Sequence, residues 1–162
     1  MGLLDKLKNK FNRNQEIYMP VAGKVIPLKA IADGVFSEGI LGMGAGIEPE
    51  EGVVYAPFDG KIIQVADTKH ALGIESKNGI ELLIHVGMDT VEMKGEGFDV
   101  LVKEGENVVR GQKLMSFSMD AIKEAGYRAT TAVIVTNSDQ FESVHVLEEG
   151  NKQKEEVMIE VA

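Results

Sequence analysis

The chain has 162 residues, 44% of them apolar, a formal charge of −9 and no cysteine. That length suits one ordinary domain with a real core, while the missing cysteine excludes disulfides, thiolate catalysis and cysteine-based zinc sites. The acidic balance argues against nucleic acid as a partner, because phosphates are bound by neutralising them with cations.

No apolar run approaches the ~20 residues that span a bilayer, and the start lacks the apolar stretch of a secretory signal. A cytoplasmic protein is the expectation. In residues 1–14, Leu4, Leu7 and Phe11 fall on one helical stripe beside Leu3, and Lys6, Lys8, Lys10 and Arg13 against Asp5 make the segment basic. Residues 1–16 are therefore read as a tail, either disordered or amphipathic. In the amphipathic case residues 1–14 make weak contact with an anionic membrane surface, at the inner face of the membrane. Residues 17–162 form the single domain.

From Tyr18 onward, short Val- and Ile-rich runs are broken by Gly, Asp and Asn, as in Gly23 to Ile26, Gly60 to Val65, Ile80 to Met88, Ala132 to Val135 and Val157 to Val161. These are strands, and the fold class is all-β: an antiparallel sandwich with one or two short helices. Pro20-Val21-Ala22-Gly23-Lys24-Val25-Ile26 is echoed by Pro57-Phe58-Asp59-Gly60-Lys61-Ile62-Ile63, which fits a sandwich of two related halves. Ile31 to Leu41 contains a helical turn. Asp120 to Gly126 is a short helix with Asp120 as N-cap and Gly126 as stop.

His70 and His85 flank Asn78-Gly79, a strong hairpin signal because both central residues of a type I′ turn take positive φ. With a two-residue loop, Leu72 faces His85 and His70 faces Gly87. His70, Leu72, His85 and Gly87 then share one face, the imidazoles become diagonal neighbours, and Gly87 leaves open space beside His70. The residues alone leave open a blander outcome, one histidine buried and the other exposed with no connection between them. His145, in the alternating Ser143 to Leu147, reads as an ordinary strand position.

Two imidazoles make a poor stand-alone metal site, since zinc usually takes three or four ligands. No resident metal or cofactor is expected. A hydrolytic pair would need a nucleophile or a carboxylate base that nothing positions here. Phosphoryl capture needs less: one neutral ring nitrogen attacks phosphorus and a neighbouring N–H steadies its oxygens. His85 lies in the apolar run Leu82 to Met88, with Leu83 on the same face, a setting suited to docking another protein.

Thr68 to Ser76 and Glu81 to Phe98 closely resemble, in order and spacing, the two histidine segments of the glucose-type enzyme IIA proteins of the bacterial phosphoenolpyruvate-dependent sugar phosphotransferase system. The likeness extends through Pro20 to Gly23, Asp33 to Phe36, Val102 to Leu114 and Asp120 to Lys123. The resemblance implies a barrel-sandwich fold in which His85 accepts phosphate on Nε2 from the phosphocarrier HPr and passes it to a cysteine of an enzyme IIB or IIBC sugar permease. It further implies that His70 stabilises the phosphate and Thr68 holds His70. Phe36, Ile40, Leu41, Leu83 and Val91 match an apolar docking collar, and Asp33 and Asp89 match carboxylates that meet an arginine of HPr.

Ala66 stands where an aromatic is common in the family, and Ala32 and Gly34 replace bulkier residues or proline around Asp33. Two other readings stay in view. Val91 to Lys94 and Val102 to Gln112 are reminiscent of biotinyl or lipoyl carrier domains, and a purely regulatory sensor of sugar flux would carry the same histidines.

Overall fold

The structure is a computed structural model that describes residues 15–162. The basic segment of residues 1–14 lies outside the described residues. Gln15 and Glu16, expected at the end of the tail, instead open the first strand, β1 (Gln15–Tyr18).

The largest sheet is built from β2 (Gly23–Pro27), β3 (Met43–Pro49), β5 (Gly60–Val65), β6 (Ala71–Ser76), β7 (Glu81–His85), β9 (Asn107–Val108), β11 (Thr131–Val135) and β13 (Gly150–Lys152). Its order is β13-β2-β3-β11-β7-β6-β5-β9. β12 (Val144–Val146) and β14 (Val157–Val161) make a second sheet with β1, and β4 (Val53–Tyr55), β8 (Phe98–Val100) and β10 (Lys113–Phe117) a third. All of these pairings are antiparallel. The all-β sandwich expected from the sequence is what forms.

Alternation decides which residues meet. Leu72, Ile74, Leu82, Ile84, Val133 and Val135 of the large sheet pack with Ile17, Val54, Leu114, Met115 and Ile159 of the smaller ones. Each such side chain gains about 1.5–3 kcal/mol by leaving water. β11 is buried at every position because both of its faces are covered. Its Ala132 and Ile134 join Ile31, Phe36 and Met88 in a second, smaller cluster on the outer face of the sheet. That double burial explains its unbroken apolar run.

The sequence echo is realised as a pseudo-twofold. β2 lies between β13 and β3 at one end of the large sheet, and β5 lies between β9 and β6 at the other. The halves are stitched reciprocally: Tyr18 N donates to Pro57 O at 3.0 Å, and Tyr55 N donates to Pro20 O at 2.7 Å. Each tyrosine ring also carries a cation, Arg110 over Tyr18 at 4.0 Å and Lys154 over Tyr55 at 4.5 Å.

The short helix α1 (Met119–Glu124) begins one residue earlier than expected, and its N-cap is Ser118, whose hydroxyl accepts from Ala121 N at 3.1 Å. Asp120 sits in the first turn, where its charge suits the positive end of the helix. Gly126, at φ +88, ends the helix as expected. The helical turn foreseen within Ile31 to Leu41 is present as two 3-10 turns, Leu28–Ile31 and Phe36–Glu38.

Candidate functional site

The β6–β7 hairpin is one residue out of the expected register. Its connection is three residues long, Lys77, Asn78 and Gly79, with Ser76 N donating to Ile80 O at 2.8 Å. Gly79 has φ +90, but Asn78 is not among the positive-φ residues, so no type I′ turn forms. Ala71 then faces His85, Leu72 faces Ile84 and Gly73 faces Leu83. A one-residue shift exchanges the faces, so Leu72 turns into the core rather than sharing a face with His85. The histidines nonetheless meet. His70 precedes β6 at a bend, directly after Lys69 at φ +63, and strand alternation does not reach it. The ring centroids are 4.7 Å apart, edge to face at 82°.

Small neighbours give His85 its hollow. Across the sheet it is flanked by Ala71 and Ala132, with Gly46 beyond, and Leu83 is flanked by Gly73 and Ile134, with Gly44 beyond. Residues 28–41 form one wall, with the Phe36 ring 4.9 Å from that of His85. Phe36 is buried, so it lines the wall rather than the rim. Leu83 is half-buried on the floor. Ile40 (72% exposed), Leu41 and Val91 are exposed, as a docking rim requires.

His85 Nδ1 lies 2.9 Å from the carbonyl oxygen of Gly87. A carbonyl only accepts, so Nδ1 carries the proton and, in the neutral ring, Nε2 keeps its lone pair. Gly87 does not stand opposite open space. It has φ +82, and a Cβ there would lie 2.3 Å from Thr90 Cγ2 and 3.0 Å from Arg128 O. Its role is to turn the backbone so that its carbonyl meets the ring. His70 is buried, with Nδ1 2.7 Å from Thr68 Oγ1.

Burial pushes His85 down from 6.5 to about 4, and neighbouring His70 adds to the effect, against weaker opposition from the Gly87 hydrogen bond and Asp33. Burial also lowers His70, opposed by the backbone of Thr68. Both rings are neutral at pH 7. For Asp33, partial burial is outweighed by the backbone N–H groups of Ser37, Phe36 and Val35, and its carboxyl titrates below the usual range. Asp33 accepts from Phe36 N at 3.1 Å and Ser37 N at 2.9 Å, which shapes the wall. Asp89 is exposed at φ +62, and its side chain makes no capping bond to the 3-10 turn Thr90–Met93.

A pH prediction follows from the lowered histidines. The unfolded chain binds a proton on His85 below about 6.5 and the folded chain only below about 4. Stability is therefore complete above pH 6.5 and declines towards pH 4, by on the order of 3 kcal/mol from His85. Urea unfolding at pH 7, 5.5 and 4.5, with an NMR titration of the His85 ring, measures this. A His85 that titrates near 6.5 would contradict it.

Sequence reasoning missed three contributors. The Gly87 carbonyl is a backbone acceptor, invisible in residue types. Ile63, exposed on the outer face, is displaced by a bulge in β5 between Ile62 and Gln64 and lies against Gly73. Arg128 donates to the carbonyl of Ile31 at 2.8 Å. His145 is exposed on β12, opposite Glu160 in another sheet, and is not brought to this site. Among the described residues, no group of three or more His, Cys, Asp or Glu could hold a metal ion, and no helix is long and apolar enough to cross a membrane.

Comparison with known proteins bears on this geometry directly. A family model described as phosphoenolpyruvate-dependent sugar phosphotransferase system, EIIA 1, matches residues 15–141. The chain belongs to that family. A glucose-specific EIIA component of Bacillus cereus is 46% identical over 132 residues, spanning 81% of this chain and 80% of that protein. A beta-glucoside-specific EIIBCA component of Bacillus subtilis is 46% identical over 143 residues; the match covers 88% of this chain but only 24% of that longer protein. Glucose permease IIA from Mycoplasma capricolum superposes with a TM-score of 0.85 at 31% identity, covering 93% of this chain and 97% of that one. The EIIA family match includes Val91 to Lys94 and Val102 to Gln112, the segments that had pointed to a carrier domain.

Proposed function

We propose that this EIIA chain is a phosphohistidine relay in which His85 Nε2 takes a phosphoryl group from the phosphohistidine of HPr and gives it to a cysteine of an enzyme IIB domain. In the first step the Nε2–P bond forms as the donor's N–P bond breaks; in the second a S–P bond forms and Nε2 recovers its lone pair. The observation that carries the reading is the state of His85. It is neutral, its Nδ1 is pinned by Gly87 and a second imidazole stands 4.7 Å away in an apolar hollow.

His70, with Thr68 donating to its Nδ1, presents an Nε2–H to the phosphoryl oxygens. Ile40, Leu41, Val91 and Leu83 supply apolar contact that keeps water from the transfer, with Phe36 behind them. Asp33 and Asp89 attract a cationic group on the donor. The acceptor is a sugar permease, as the fused EIIBCA relative supports. The relay works at the inner face of the membrane, where the basic residues 1–14 touch anionic lipid.

The test is phosphorylation of the full chain with phosphoenolpyruvate, enzyme I and HPr, read by intact mass and peptide mapping. The expected result is an acid-labile gain of one phosphoryl group on His85. No gain with active donor proteins would overturn the reading.

A further inference from the structure

Arg128 lies between α1 and β11 and is exposed, yet it touches both loops that build the site. Its guanidinium Nη2 donates to the carbonyl of Ile31 at 2.8 Å, and its own carbonyl accepts from Met88 N at 2.9 Å. The first bond reaches residues 28–41, which carry Asp33, Phe36, Ile40 and Leu41. The second holds the strand end beside Gly87, whose carbonyl fixes His85.

The wall segment has few other anchors. Asp33 bonds to Phe36 and Ser37, Ser37 Oγ to Gly34, Val35 to Glu38, and Phe36 to Gly39, all inside the segment itself, and Gly39 bonds to Gly42 just past its end. Such bonds shape the loop without tying it to the sheet. Ile31 and Phe36 pack into the small outer cluster, not the main core. A charge-assisted bond from a planar guanidinium is both stronger and more directional than a neutral one. It grips Ile31 immediately before Ala32, at φ +53, where the chain turns towards Asp33.

We propose that Arg128 is a positioning residue for docking: by clamping Ile31 to the His85 loop, it holds the wall in the shape that receives the phosphocarrier. This rests on the relay reading above. It predicts that loss of the clamp weakens encounter rather than chemistry, because His85, His70, Thr68 and Gly87 stay in place.

The experiment compares the full-length wild type with Arg128→Gln and Arg128→Lys. With phospho-HPr as donor, Arg128→Gln should raise KM about tenfold and leave kcat within about twofold. Arg128→Lys, which keeps a cationic donor, should recover part of the loss. By NMR, the Overhauser contacts between the Phe36 and His85 rings should weaken in Arg128→Gln. Because Arg128 is exposed, thermal unfolding should stay close to that of the wild type.

An unchanged KM would overturn the proposal, as would a fall in kcat alone. A raised KM with the ring contacts intact would also overturn it, since Arg128 would then be meeting the partner directly. The ring contacts are read on unphosphorylated protein. They test the clamp even if the wild type takes no phosphate, a result that would refute the relay and not the clamp.

Discussion

His85→Ala takes up no phosphate from phosphoenolpyruvate, enzyme I and HPr, while remaining folded. The expected loss is about 10⁴-fold or more, because removal of a nucleophile leaves only positioning behind. The fold tolerates the change for a reason visible in the sheet. His85 already sits between Ala71 and Ala132 on the outer face, half-buried, so alanine extends a row of small residues and opens no cavity in the main core. Removing a neutral ring also takes away a group whose protonation is opposed by burial, so the decline in stability towards pH 4 should flatten in the variant. Intact mass after labelling decides the matter, with urea unfolding as the control. Phosphate appearing on His70 in this variant, or normal labelling, would sink the assignment of His85. His70 is a poor substitute as a nucleophile, since it is buried and its Nδ1 is held by Thr68.

The fold was legible because its strands obey period two. Gly60 to Val65 and Val157 to Val161 form strands with the bounds their patterns give, and the Pro-x-x-Gly-Lys echo marks the two halves that the pseudo-twofold relates. The hairpin shows where local signals run out. Asn78-Gly79 marks a turn, but whether it closes over two residues or three is decided by the packing of Leu72 and Ile84 in the core. The longer loop puts both inside together. The histidines pair despite the shifted register because His70 lies beyond the strand, where alternation has no hold. Their meeting rests on the bend at Lys69, which residue types alone do not announce. Ser118 displaced Asp120 as N-cap by two residues, the usual scale of uncertainty at a helix end. The Gly87 carbonyl is only two residues from His85 but is a backbone acceptor aimed by a positive φ, and the reach of Arg128 to Ile31 spans 97 residues, so no spacing of residue types could have found either.

His70→Gln should still receive phosphate from HPr but pass it to the IIB cysteine about 10²–10³-fold more slowly, within the scale of losing a positioned proton-transfer group. In the empty site His70 is neutral, held so by burial. Once His85 is phosphorylated, a doubly charged group stands against it, and nearby negative charge favours the protonated imidazole. The same residue then becomes a cation at the moment the phosphoryl group is ready to leave. Glutamine keeps an N–H donor and can bond to Thr68, so it can steady a bound phosphate. It cannot take up a proton as charge gathers on the equatorial oxygens. The defect should therefore fall on the second transfer, and the wild-type dependence of that step on His70 protonation should vanish in the variant. Single-turnover transfer from purified phosphoprotein to a IIB domain, measured from pH 6 to 9, separates the steps. A variant that transfers at the wild-type rate would remove His70 from the chemistry and leave it a packing partner of the reactive ring.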